Sequence, residues 1–177
     1  HAVAYSYLNE TLGLEDYKAF LHEPSMADKF DFLMSTKADY TDTELLKSKE
    51  ARLEVARSLA IFSAFAEGVS LYSSFAVLYS FQMRNLLKGI GQQMKWSVRD
   101  ESLHSKMGCR LFNHMCSEDK DLRSNVSESV YEAAKLIVEM EHNYIDKIFE
   151  MGDIENLKAY DLKNFIYRRT NEKLQEL

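Results

Sequence analysis

The feature that most constrains the fold is a run of 26 residues, from Ser58 to Met83, whose only charged side chain is Glu67. In a helix through this run, apolar residues occupy every side, which is typical of the centre of a bundle or of a membrane span. The run is also long enough to cross a bilayer. Its six serines, the carboxylate near its middle and the charged, amphipathic segments around it favour the centre of a helical bundle.

The rest of the chain also indicates long helices. One proline and six glycines interrupt 177 residues, and we find no strand candidate, internal repeat or low-complexity segment. We expect a single all-α domain over residues 1–177, with Pro24 in the first turn of a helix. The predicted helices span residues 1–12, 15–21, 26–37, 42–82, 86–116, 121–151 and 159–177.

The net charge and the two cysteines bear on the class of partner and on the cellular setting. A net charge of −6 leaves no basic excess, so we do not expect nucleic acid as a partner. Cys109 and Cys116 lie seven positions apart on one predicted helix, too far for a disulfide within it. The first residues lack the basic and apolar segments of a signal peptide. These observations favour a reducing, cytoplasmic setting.

Glu67 is the first candidate functional residue, because a carboxylate buried alone needs a proton, a cationic partner or a metal. Glu101 and His104 are three residues apart on the predicted helix 86–116, and Met94 and Phe112 share the face of Glu101. We therefore expect Glu101 and His104 to point inward. A Glu-x-x-His facing a buried Glu is half of a carboxylate-bridged di-metal site of the ferritin-like type. A buried ion pair or hydrogen-bonded couple is the alternative.

A second Glu-x-x-His, Glu139 and His142, serves as an internal control. The apolar stripe of its helix contains Ile137, Glu141 and Ile145, which turns Glu139 to the opposite side. We predict that Glu139 is a surface residue and that His142 lies on the flank.

Two segments resemble the small, radical-generating (beta) subunit of ribonucleotide reductase: FAEGVSLYSSF, and RNLLKGIGQQMKWSVRDESLH after it. In that family a Glu in the first setting is followed 34 residues later by the Glu of R-D-E-x-x-H, as Glu67 is by Glu101. The opening HAVAYSY resembles the end of the family's E-x-x-H-x-x-x-Y helix, and AYDLKNFIYRRTNEKLQEL is similar to the helix that closes its core. The resemblance implies a ferritin-like bundle.

The resemblance also implies roles for individual residues. Glu67, Glu101 and His104 would bind the second iron of a di-iron site, with Glu101 bridging, and His1 would bind the first iron. Tyr5 would carry the tyrosyl radical that forms after the reduced site splits oxygen. Mn/Fe and Mn/Mn pairs remain possible.

Three further residues correspond to positions that, in the family, transfer the radical or shield it. Asp100 corresponds to the family's acidic residue in radical transfer, and Phe75 and Leu71 correspond to the apolar pocket that shields the radical. The large (alpha) catalytic subunit would use the radical to reduce ribonucleotides to deoxyribonucleotides.

A homodimer would also follow the family. Trp96 lies opposite Glu101 on its helix, beside Leu103 and Met107, and these side chains indicate a second packing surface suited to a dimer.

In the family, an Asp ligand and the Glu of the first E-x-x-H precede the position of His1, and a tail that docks on the large subunit follows that of Leu177. We therefore expect this chain to be the middle and C-terminal part of such a subunit, inactive by itself. The alternatives are a metal-poor or metal-free helical remnant, and another ferritin-like di-iron oxidase or oxygenase.

Overall fold

The computed structural model describes residues 2–11, 13, 23–38 and 47–177. Those residues form helices and connecting turns without a β-strand, which confirms the all-α prediction. The predicted helix over 15–21 and the start of the one over 42–82 lie outside the described residues. The helices are α1 (Ala2–Thr11), α2 (Pro24–Ser35), α3 (Lys49–Ile61), a π-helical turn (Phe62–Ala66), α4 (Tyr72–Met83), α5 (Lys88–Glu118), α6 (Leu122–Glu150) and α7 (Ala159–Glu176).

The prediction of one continuous helix through the Ser58–Met83 run is wrong. The chain widens into the π-helical turn, in which the Glu67 amide donates to the Phe62 carbonyl at 3.0 Å, and then turns until α4 begins. Gly68 makes this path possible. A Cβ at Gly68 would lie 2.1 Å from the Ala64 carbonyl oxygen and 2.9 Å from Cδ of Lys173 on α7. The sequence pattern does not reveal this break, because a run that is apolar on all sides has no hydrophobic periodicity whose interruption would mark the end of a helix.

The apolar run nevertheless lies at the centre of the bundle, as predicted. α3 and the π-helical turn contact α5, α3 also packs on α6, and the π-helical turn and α4 reach α7. Each of these elements contributes to one apolar core, for example Ala60, Phe65, Met94, Ile137 and Ile166. No helix among the described ranges combines the length and apolar character needed to cross a bilayer.

The two cysteines are buried free thiols on α5, which agrees with the prediction that they form no disulfide within one helix. Burial raises the pKa of both Cys109 and Cys116. They belong to the packing of the core.

α5 approaches the π-helical turn closely at Gly108. A Cβ at Gly108 would lie 1.8 Å from Oγ and 2.6 Å from Cβ of Ser63. Replacing Gly108 by alanine is therefore expected to lower the free energy of unfolding by about 1–3 kcal/mol, because overpacking outweighs the gain in helix propensity.

Gly89, in the first turn of α5, is the matched control, since a Cβ there meets nothing within 4 Å. Gly89→Ala should raise the free energy of unfolding by up to about 1 kcal/mol. Urea unfolding of both variants checks the prediction. Equal effects at the two positions would show that the helices do not pack this closely at Gly108.

Candidate metal centre

The structure brings Glu67, Glu101 and His104 together, although they come from two segments of the chain. Glu67 follows the π-helical turn, and Glu101 and His104 lie on neighbouring turns of α5. Nδ1 of His104 is 3.1 Å from Oε2 of Glu101 and 3.6 Å from Oε2 of Glu67. One ligand atom from each residue lies within 4.8 Å of the others. We call these three residues the carboxylate–histidine cluster.

The cluster lies at the edge of the core. Glu101 is buried, as predicted, but 37% of the Glu67 side chain and 57% of the His104 side chain are exposed. The predictions that Glu67 is buried and that His104 points inward are therefore wrong, since Glu67 is half-buried and His104 is exposed. His104 is turned by about 60° around α5 from Glu101, which takes it off the buried face. Glu67 belongs to a turn and not to the middle of a continuous helix.

Burial and the proximity of the two carboxylates raise pKa values in the cluster. The pKa of Glu67 is raised from 4.5 to about 7, mainly by burial and then by its hydrogen bond to Glu101 and the charge there; His104 opposes this rise. The hydrogen bond to Glu101 raises the pKa of His104, and the charges of Glu67 and Glu101 add to the rise. Protons or a bound cation would offset the negative charge of the two carboxylates.

The donor set indicates which cations fit. Carboxylate oxygens together with an imidazole nitrogen suit Fe, Mn and other first-row divalent metals. Three ligands from the protein leave coordination positions for further groups. π-helical turns often occur at functional sites, and the one over Phe62–Ala66 places this candidate ligand beside α5.

The control pair behaves as predicted. Glu139 is exposed on α6, and His142 lies on the flank with Nε2 3.2 Å from the Lys163 carbonyl oxygen. Within the ranges that the structure describes, the carboxylate–histidine cluster is the one group of three or more potential ligands at this spacing.

The other predicted site residues are not part of the cluster, and some of them lie outside the described residues. His1 is outside the described residues, and Tyr5 lies in α1 with its side chain also outside them. Asp100 is exposed on α5.

The two residues predicted to form an apolar pocket differ. Phe75 is buried on α4 and packs edge-to-face on Tyr72, with ring centroids 5.5 Å apart. Leu71 is 42% exposed at the start of α4, so it does not shield an interior site in this structure.

Two cations that bond to the turn after Glu67 were not predicted from the sequence. Arg169 on α7 lies 3.3 Å from the centroid of the Tyr72 ring, and the Tyr72 hydroxyl is 2.9 Å from Oγ of Ser102, next to Glu101. Lys29 on α2 is buried and bonds to the Ser70 carbonyl. No local sequence pattern identifies the distant backbone partner of either residue.

Comparison of the sequence with known proteins identifies the family to which the chain is similar. A sequence profile of the family described as "Ribonucleotide reductase, small chain" matches residues 1–177. The chain is 37% identical to a probable ribonucleoside-diphosphate reductase small subunit of Invertebrate iridescent virus 3, over 100% of this chain and 50% of that protein. Its counterpart in Invertebrate iridescent virus 6 is 35% identical, over 93% of this chain and 50% of the relative. A ribonucleoside-diphosphate reductase subunit beta of Chlamydia pneumoniae is 25% identical, over 100% and 52% respectively. The chain thus spans about half the length of the curated relatives it matches.

Proposed function

The chain belongs to the family of ribonucleotide reductase small chains, and from this premise we propose that it provides one half of a di-metal site for radical generation. In this proposal the whole protein is the beta subunit of a ribonucleoside-diphosphate reductase. It generates the radical that a large subunit uses to reduce ribonucleotides to deoxyribonucleotides. The observation that carries the proposal is the convergence of Glu67, Glu101 and His104 at ligand distances.

The carboxylate–histidine cluster is the proposed holder of one metal ion. Glu101 is the bridging candidate by the resemblance to the family, and it is the buried member of the cluster. His1 is the proposed ligand of the partner metal. A pair of iron or manganese ions at such a site supplies one-electron oxidation and binding of oxygen.

Other residues are proposed to handle the radical. Tyr5 is the proposed radical residue, and Asp100 is the proposed member of the transfer route. The burial of Phe75 supports its assignment to the shielding pocket, because a phenoxyl radical persists only where water and reductants are kept away. Exposure of Leu71 gives no such support in this structure.

The proposed partners are the large catalytic subunit and a second copy of this chain, in the cytoplasm. Trp96, Leu103 and Met107 form an apolar face of α5, and each is more than half exposed. A second copy that covers this face would remove apolar surface from water, which supports the dimer proposal.

Metal binding that depends on pH tests the proposed metal site. A divalent cation competes with the protons on Glu67 and His104, whose pKa values are both raised. We expect the affinity for Mn²⁺, measured by electron paramagnetic resonance under argon, to rise at least about tenfold between pH 6 and pH 8. An affinity that does not change across this range would contradict the assignment of Glu67 and His104 as ligands.

The metal-free protein should show the opposite trend in stability. Because both pKa values are raised in the folded state, the folded chain binds more protons than the unfolded chain above pH 4.5. The contribution of the two groups to the free energy of unfolding therefore falls as the pH rises from about 5 through 7. In Glu67→Gln this fall should be smaller.

A further inference from the structure

The turn between the π-helical turn and α4 contains two buried residues, Gly68 and Ser70, whose carbonyls are bonded by side chains. Val69 and Ser70 both donate their amides to the Phe65 carbonyl, so the chain folds back on one acceptor. The carbonyls of Gly68 and Ser70 instead accept hydrogen bonds from side chains of distant helices, Arg169 and Lys29. A buried carbonyl without a donor is costly, so these two bonds are part of what holds the turn.

The Lys29 ammonium group makes three contacts. Its Nζ donates to the Ser70 carbonyl at 3.0 Å, forms an ion pair with the fully buried Glu141 and lies 4.8 Å from the centroid of the Tyr144 ring. Glu141 in turn accepts a hydrogen bond from Ser73 on α4. The ion pair therefore ties α2, α6 and the start of α4 to the turn that carries Glu67.

Arg169 connects the same turn to α5. Its Nε donates to the Gly68 carbonyl, and its guanidinium lies over the ring of Tyr72. The Tyr72 hydroxyl bonds to Ser102, the neighbour of Glu101 in the chain. One side of the turn is thus held to the helix that carries the other two members of the cluster.

We propose that Arg169 and Lys29 are positioning residues for Glu67, which hold the turn over residues 67–70 so that the Glu67 carboxylate stays within reach of Glu101 and His104. The proposal rests on the proposed function in taking these three residues as metal ligands. Bonds from a cation to a carbonyl are stronger than neutral ones, and a metal site requires its ligands to be held within about 0.5 Å. Neither cation contacts the metal in this proposal; each acts through the backbone beside Glu67.

Arg169→Gln tests the role of Arg169, with Arg168→Gln as the matched control, because Arg168 is the exposed neighbour on the same helix. The first readout is hydrogen exchange in the metal-free protein, at the amides of Glu67, Val69, Ser70 and Tyr72. We expect exchange there to rise about tenfold in Arg169→Gln, relative to the amide of Ile137 in α6, and to stay unchanged in Arg168→Gln. The second readout is Mn²⁺ affinity, which should fall about tenfold in Arg169→Gln alone.

A second variant addresses Lys29 without leaving a charge buried. Lys29→Met combined with Glu141→Gln removes both members of the ion pair, and Lys37→Met is the control at an exposed lysine. We expect faster exchange at Ser70 and Tyr72 and weaker Mn²⁺ binding in the double variant only. Arg169→Lys, which keeps the charge, should recover part of the affinity lost in Arg169→Gln.

The outcomes separate the two proposals. Equal exchange at the turn in Arg169→Gln and Arg168→Gln would overturn the positioning role, and so would faster exchange at the turn with no loss of Mn²⁺ affinity. If the unsubstituted protein binds no Mn²⁺, the proposed metal site is wrong, and hydrogen exchange alone then decides whether the cations hold the turn.

Discussion

Replacing Glu101 by alanine is expected to weaken Mn²⁺ or Fe²⁺ binding by more than about 100-fold, since loss of a direct ligand exceeds the effect of losing an outer partner. Glu101 is the buried member of the cluster, and its Oε2 lies 3.1 Å from Nδ1 of His104. Equilibrium binding of each metal under anaerobic conditions measures the effect. Glu139→Ala is the control, because Glu139 has the same Glu-x-x-His spacing on α6 and faces solvent.

The same substitution has a second consequence that requires no metal. The hydrogen bond to Glu101 and the charge there both raise the pKa of Glu67, after burial. In Glu101→Ala we expect the pKa of Glu67, followed by carbon NMR of its carboxylate, to fall from about 7 towards 4.5 and to stay above it. Equal metal binding and an unchanged pKa of Glu67 in the Glu101 and Glu139 variants would show that the cluster does not form.

Replacing Lys29 by methionine is expected to lower the free energy of unfolding by about 3–5 kcal/mol, because it leaves Glu141 without its cation. Glu141 is fully buried, and burial raises its pKa against the opposing effect of Lys29. Without Lys29 the pKa of Glu141 rises further in the folded protein. At a pH between the ordinary pKa of glutamate and this raised pKa, the folded protein keeps a proton on Glu141 that the unfolded chain has released. The loss of stability should therefore be larger at pH 8 than at pH 5. Urea unfolding at both values measures it.

Two further variants define what this loss means. Lys37→Met makes the same change at an exposed residue just after α2 and should alter stability by less than about 0.5 kcal/mol. Replacing both members of the pair, as Lys29→Met with Glu141→Leu, should recover most of the stability, since a well-packed apolar pair avoids burial of charge. A Lys29 variant as stable as the Lys37 variant would contradict the buried ion pair.

The long amphipathic helices were predictable from the sequence. α5, α6 and α7 begin and end within two residues of the predicted bounds, because one apolar stripe runs along each of them. The break between α3 and α4 was not predictable from the pattern. A close contact of Gly68 with α7 and with its own preceding turn decides the path there, and that contact depends on tertiary packing.

Some features of the candidate site were likewise predictable from the sequence, and others depend on tertiary packing. The burial of Glu101 follows from its position on the stripe of α5, and the lone carboxylate in the apolar run, together with the resemblance to the family, indicated Glu67 as its partner. The exposure of His104 depends on what packs beside α5. The roles of Lys29 and Arg169 depend on carbonyls 41 and 101 residues away in the chain, which no local pattern connects to them.

The most direct test of the account is the metal content per chain, after anaerobic loading with Fe²⁺ and removal of excess iron. The carboxylate–histidine cluster offers three candidate ligands, so the proposed metal site predicts about one iron per chain in the unsubstituted protein and close to none in Glu101→Ala. A value near two would mean that a second site is completed by ligands outside the cluster. A value near zero in the unsubstituted protein would contradict the claim that Glu67, Glu101 and His104 form a metal centre.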